Sequence, residues 1–161
     1  MVIKADNSLW GRGVNIYGQL GIGTNEFQCE FLHILDDVGV VHADIMRTLA
    51  IKTDGSLWTW GSNFFGRLGE GTTQDRVFPI PIMDDTVAVS VGGNATLVIQ
   101  SDGSLWGWGF LRNCEYEATR NTIFPEGWAL LPTKLFDNVM LPSLSWPDQT
   151  DLPPVLVREQ T

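Results

Sequence analysis

Short runs of apolar residues alternate with polar ones along this chain and are cut by glycine-rich turns. Leu49-Ala50-Ile51 is followed by Asp54-Gly55 and then Leu57-Trp58-Thr59-Trp60; Leu97-Val98-Ile99, Asp102-Gly103 and Leu105-Trp106-Gly107-Trp108 repeat the pattern. Two apolar runs around an Asp-Gly pair predict a β-hairpin. A period of two puts Leu57 and Thr59 on one face of the second strand, with Trp58 and Trp60 on the other. The Asp-Gly pairs, and Asp6-Asn7 in an earlier copy, predict type I′ turns with positive φ at both central positions.

The three turns begin at Asp6, Asp54 and Asp102, a spacing of 48 residues. Residues 2–51 and 50–99 align without a gap: Gly13, Asn15, Gly18, Leu20, Gly21, Gly23 and Thr24 recur as Gly61, Asn63, Gly66, Leu68, Gly69, Gly71 and Thr72. A fixed period of this size marks a repeat architecture whose units bury their apolar faces against one another. Each full unit divides into four strands. The first is Val38–Ala43 or Val87–Val91, the second Thr48–Lys52 or Thr96–Gln100, and the third Ser56–Gly61 or Ser104–Gly109. A glycine-rich loop leads to the fourth, around Phe31–Leu35 or Phe78–Met83, where Pro79 and Pro81 suit an outer edge. Four-stranded antiparallel units repeated at this length predict an all-β fold of propeller blades, about three per chain. The expected blades are 2–35, 38–83 and 87–136, with an extra strand at 139–145 and a proline-rich tail at 146–161.

Composition narrows the partners. A net charge of −9 argues against direct nucleic-acid or anionic-membrane binding, which rely on clustered Lys and Arg. The start lacks a signal-peptide core and no apolar run is long enough to span a membrane, so the expected location is cytoplasmic. Cys29 and Cys114 do not form a disulfide framework, and the expectation is two reduced, mostly buried thiols.

The run Trp60-Gly61-Ser62-Asn63-Phe64-Phe65-Gly66-Arg67-Leu68-Gly69-Glu70-Gly71, and Asn15-Ile16-Tyr17-Gly18-Gln19-Leu20-Gly21-Ile22-Gly23 before it, resembles the repeat of the regulator of chromosome condensation family. The resemblance implies a β-propeller, usually of seven blades. It covers functions as different as nucleotide exchange on a nuclear GTPase, chromatin binding, substrate recruitment and β-lactamase inhibition. Three departures limit what carries over. The His that often precedes the second strand's Thr-Leu is Arg47 or Ala95, the third unit has lost the Gly-x-Leu-Gly-x-Gly loop, and there are only about three units.

No catalytic set is legible. Gly66-x-Leu-Gly69-x-Gly71 joins two strands and so does not make a phosphate loop, which needs a following helix. Cys29, His33 and His42 lack the close spacing and repeat counterparts of a metal site, and Ser56 and Ser104 sit in turns, outside any nucleophile elbow. Neither an enzyme, a metal nor a cofactor is expected. Trp60 and Trp108 are read as packing between blades, while Trp128 and Trp146 fall outside the repeat and are surface candidates.

One feature points to recognition. In an up-down blade the second-to-third turn and the loop to the next blade emerge on the same side. That side gathers Asp6, Asp54 and Asp102 with Asp36, Asp37, Asp84, Asp85 and Asp137. Turn preference alone places aspartate in such loops. The sharper reading is a docking face for a basic protein, with Asp36, Asp37, Asp54, Asp84, Asp85 and Asp102 as contacts. The sequence therefore reads as a non-enzymatic protein-interaction module that also associates with itself, as a homodimer or ring closed by strand exchange. The rivals are a piece of a longer propeller and a carbohydrate or small-ligand binder with an aromatic cleft.

Overall fold

The computed structural model describes residues 1–111 and 128–139. They form three antiparallel sheets in chain order. The first holds β1 (Val2–Ile3), β2 (Leu9–Gly13) and β3 (Gln28–Leu35). The second holds β4 (Val38–Ala43), β5 (Arg47–Lys52), β6 (Leu57–Gly61) and β7 (Arg76–Met83). The third holds β8 (Thr86–Gly92), β9 (Ala95–Gln100), β10 (Leu105–Phe110) and β11 (Trp128–Phe136). Strands run in sequence order within each sheet, the up-down plan of a propeller blade. Among the described residues no helix is long and apolar enough to cross a membrane. The expected strand at 139–145 beyond Val139, and the tail at 146–161 with Trp146, lie outside the described residues, as does Cys114.

The strand alternation decides what lies between the sheets. Leu49, Ile51 and Leu57 of the second sheet pack with Val98 and Trp108 of the third. From the opposite face, Ala50 and Trp60 pack with Leu9 of the first sheet and Val38. Trp60 and Trp108 are fully buried, as the period-two reading requires. Each thus projects back onto the preceding sheet. Pro79 and Pro81 lie on β7, the outer edge of its sheet, where a missing N–H leaves no ladder partner unsatisfied.

Two expectations need correction. The hairpin turns are not type I′, because only the third loop residue has positive φ: Asn7 (63°), Gly55 (86°) and Gly103 (81°). Gly55 N–H donates to the Lys52 carbonyl at 3.0 Å and Lys52 N–H to Ser56 at 2.9 Å, closing a three-residue loop instead of a two-residue one. The extra residue frees the aspartate to bond the chain ahead of it. Cys29 is the other correction, since it is exposed on the outer strand β3. Outer strands of a blade have no further sheet to cover them.

Candidate functional site: the aspartate rim

Each hairpin turn contains the same small network. Asp54 Oδ1 accepts from Ser56 N–H (2.9 Å) and Ser56 Oγ (2.7 Å), and Ser56 Oγ accepts from Trp58 Nε1 (3.0 Å). Asp6, Ser8 and Trp10 repeat it, and so do Asp102, Ser104 and Trp106. The side-chain bond from serine, then the backbone bond, hold all three carboxyls below their ordinary value of 3.8. These aspartates therefore stay ionised and have a structural task.

The links between sheets meet these turns through the backbone. Thr53 N–H donates to the Asp37 carbonyl (2.7 Å), and Ser101 N–H to that of Asp85 (2.8 Å). In return Val38, Thr86 and Val139 N–H donate to the carbonyls of Asn7, Gly55 and Gly103, at 2.8, 2.9 and 2.8 Å. Asp37, Asp85 and Asn138 occupy the left-handed region, with φ of 61°, 56° and 58°. Aspartate and asparagine tolerate that region better than other non-glycine residues, which explains the residue type at the corner.

This pairing brings Asp37 beside the turn carrying Asp54, and Asp85 beside the turn carrying Asp102. Asp36 and Asp84 precede them in the same links. Asp36 Oδ1 is 2.8 Å from His33 Nε2, whose ring also meets Trp10 edge-on. Gln100 Nε2 donates to the Asp84 carbonyl at 2.8 Å. The rim is not wholly acidic, a point the sequence reading missed. Lys4 lies over the Trp10 ring at 3.6 Å, Lys52 lies near Trp58 at 5.2 Å, and Lys134 pairs with Asp137. A lysine two residues before a hairpin aspartate was the available signal.

Chemically, such a rim offers fixed carboxylates to cations or basic side chains. Among the described residues no three His, Cys, Asp or Glu gather into a metal-binding group. His33 bonds Asp36, and Cys29 stands exposed on the same strand.

Comparison with known proteins agrees with the fold. The family model described as the regulator of chromosome condensation (RCC1) repeat matches residues 54–99. No curated protein matches the sequence. The chain resembles the crystal structure of human WBSCR16, with 18% identity and a TM-score of 0.66, covering 83% of this chain and 34% of that one. It also resembles Prp20p from Saccharomyces cerevisiae, a structure described with its binding properties to Gsp1p and histones. There the identity is 19% and the TM-score 0.66, covering 84% of this chain and 35% of the other. A chain in the crystal structure of Kap60 bound to yeast RCC1 (Prp20) matches with 22% identity and a TM-score of 0.58, over 80% and 33% of the two chains. The chain thus spans about a third of the length of the solved chains it matches. At these identities the likeness shows the fold. Residues 54–99 thus match the regulator of chromosome condensation repeat, and the described residues share the propeller-blade fold of these solved chains.

Proposed function

We propose that this chain is a non-enzymatic protein-interaction module whose aspartate rim docks a basic protein surface. The supporting observation is the backbone pairing of hairpin turns with inter-sheet links, which gathers Asp36, Asp37, Asp54, Asp84, Asp85 and Asp102 along one edge. Fixed charges on a rigid rim favour encounter with a surface of opposite sign and make association salt-sensitive. The test is the quadruple variant Asp36→Asn, Asp37→Asn, Asp84→Asn, Asp85→Asn. Asparagine also accepts the left-handed backbone of Asp37 and Asp85, and the serine-bound carboxyls of Asp54 and Asp102 are untouched. Pull-downs should lose a partner that the parent recovers, with melting unchanged. Equal recovery by parent and variant counts against the rim.

A second reading is self-association, favoured by the three-stranded first sheet beside two four-stranded ones. Among the described residues no further strand pairs with the β1 edge, and such an edge invites a second copy. Light scattering should give a dimer or larger ring for the intact chain and a monomer for a truncation ending at Asn138. A monomeric intact chain removes this reading.

A further inference from the structure

The opposite rim carries a feature that the aspartates do not explain. There the loop from β6 to β7 is pinned by Asn63, whose Oδ1 accepts from Leu68 N–H (2.9 Å) and whose Nδ2 donates to the Thr72 carbonyl (3.0 Å). Asn15 does the same one unit earlier, with Leu20 (2.8 Å) and Thr24 (2.6 Å). Inside this shared cradle the backbone of the two loops differs in handedness at one position. Phe65 has φ 60° and ψ 20°, whereas its counterpart Tyr17 is not among the residues of positive φ. A bulky side chain in the left-handed region is an outlier, kept there only when its surroundings hold it.

The left-handed turn carries the Phe65 ring onto the next blade. It stacks on Phe110 (centroids 4.9 Å, 26°) and lies against Trp128 (5.4 Å, 32°) and Phe64 (4.2 Å, 57°). Phe64, Phe65, Thr73 and Trp128 line an open cavity of about 270 Å³. Phe64 is 61% exposed and Trp128 39%, so two large rings face solvent around an apolar hollow. A cavity of about 150 Å³ is enough for benzene, so one or two fused rings fit this volume. Among the described lining residues Thr73 supplies the one hydroxyl. Sugar binding needs several convergent polar groups, whereas ring-on-ring contact needs none.

Charge points the same way. In this loop Glu70 is paired with Arg76 at 2.6 Å, and on the adjoining loop Asp44 is paired with Arg47 at 3.1 Å. Asp75 of the same loop is held by the Asn63 N–H (2.7 Å), and the described cavity lining of Phe64, Phe65, Thr73 and Trp128 carries no charged side chain, so an uncharged group suits the cavity. That adjoining loop is tied in by Ser62 N–H to the Met46 carbonyl (2.9 Å) and exposes Ile45 and Met46.

We propose that this cavity receives an aromatic side chain of a partner protein, which rests on reading the chain as an interaction module. The probe is N-acetyl-tryptophanamide, titrated into the intact chain by calorimetry, with glucose as comparator. Binding of the probe and not of glucose is expected, weakened at least tenfold in Phe64→Ala and in Trp128→Ala. The Phe64 ring is largely exposed, so Phe64→Ala retains the fold and decides the matter if Trp128→Ala does not fold. Absence of probe binding to the parent, equal binding by Phe64→Ala, or preference for glucose overturns the proposal. The asparagine variant of the aspartate rim separates the two sites. It should bind the probe as the parent does, whatever it does to partner capture. A protein partner captured equally by parent, Phe64→Ala and Trp128→Ala overturns the cavity's role while leaving the interaction reading intact.

Discussion

Between the first and second sheets the Gln19 carbonyl accepts from Trp60 Nε1 (3.0 Å) and Thr48 Oγ1 (2.8 Å). Between the second and third, the Arg67 carbonyl accepts from Trp108 Nε1 (3.0 Å) and Thr96 Oγ1 (3.0 Å). The latch is the same, and in both it lies against a glycine, Gly21 or Gly69, that leaves room for the indole. The fittings differ. Arg47, fully buried, adds a second-seam contact by donating to the Arg67 carbonyl (2.8 Å), Thr96 Oγ1 (2.8 Å) and the Ala95 carbonyl (2.8 Å), with Asp44 as its counterion. The first seam instead uses the neutral Gln19 side chain, which donates to the Ile45 carbonyl at 3.0 Å. A carbonyl accepts from any neighbour whatever its own side chain, so the latch survives while position 19 or 67 varies.

If the indole is the common element, Trp60→Ala and Trp108→Ala should each lose about 3–5 kcal/mol, the range for deleting a large buried aromatic. Urea midpoints of the two should fall together. A variant melting within a degree or two of the parent would remove that strand from the core.

The charged fitting should set the seams apart. Arg47→Ala strands Asp44, whose carboxyl is raised by burial but held below its ordinary value by the N–H groups of Met46 and Arg47 and the Arg47 side chain. Breaking a buried pair by removing one partner costs about 3–5 kcal/mol. Asp44 is one-third exposed, which puts the expected loss near the lower end, about 3 kcal/mol. Gln19→Ala should cost only about 1 kcal/mol, one neutral hydrogen bond. Equal losses would show that charge gives the second seam nothing of its own.

Gly69→Ala and Gly21→Ala test the close approach. An added Cβ would lie 2.6 Å from Trp108 Nε1 and 2.7 Å from Trp60 Nε1, and both glycines have positive φ. Strain plus overpacking predicts a loss of about 2–3 kcal/mol at either position, read from denaturant midpoints.

The smallest effect belongs to the turns. The carboxyls of Asp6, Asp54 and Asp102 are depressed in the folded state, so their contribution is present above the unfolded value near 3.8. It is lost as pH falls through the folded values. Asp54→Asn should lower the midpoint slightly at neutral pH and flatten the loss of stability below pH 3.8. A parent curve as flat as the variant's would remove the carboxylate from the turn's stability.

The repeat, the four strands and the buried faces of Trp60 and Trp108 were legible because each follows from local pattern: apolar alternation, a period of 48 residues, and proline at an edge. The co-location of Asp37 with Asp54 was legible for the same reason, since up-down topology fixes which loops share a side. The turn type was not. Asp-Gly suits both two- and three-residue loops, and the choice falls to the register of the hairpin ladder, Ile51 opposite Leu57 in the second sheet and Ile99 opposite Leu105 in the third. Arg47 was noted only as a departure from a family's usual histidine, and nothing around it in the sequence announces that its partners lie 20 and 49 residues away.

Phe65 marks the same boundary from the other side. The sequence by itself determined a loop there, with glycine after it and asparagine before it, because those residues impose local backbone geometry wherever they stand. That the Phe65 ring turns left-handed onto Phe110 and Trp128 was decided by the tertiary structure. Stacking across blades is a contact between residues distant in the chain, and only packing can offset the local strain that such a turn imposes.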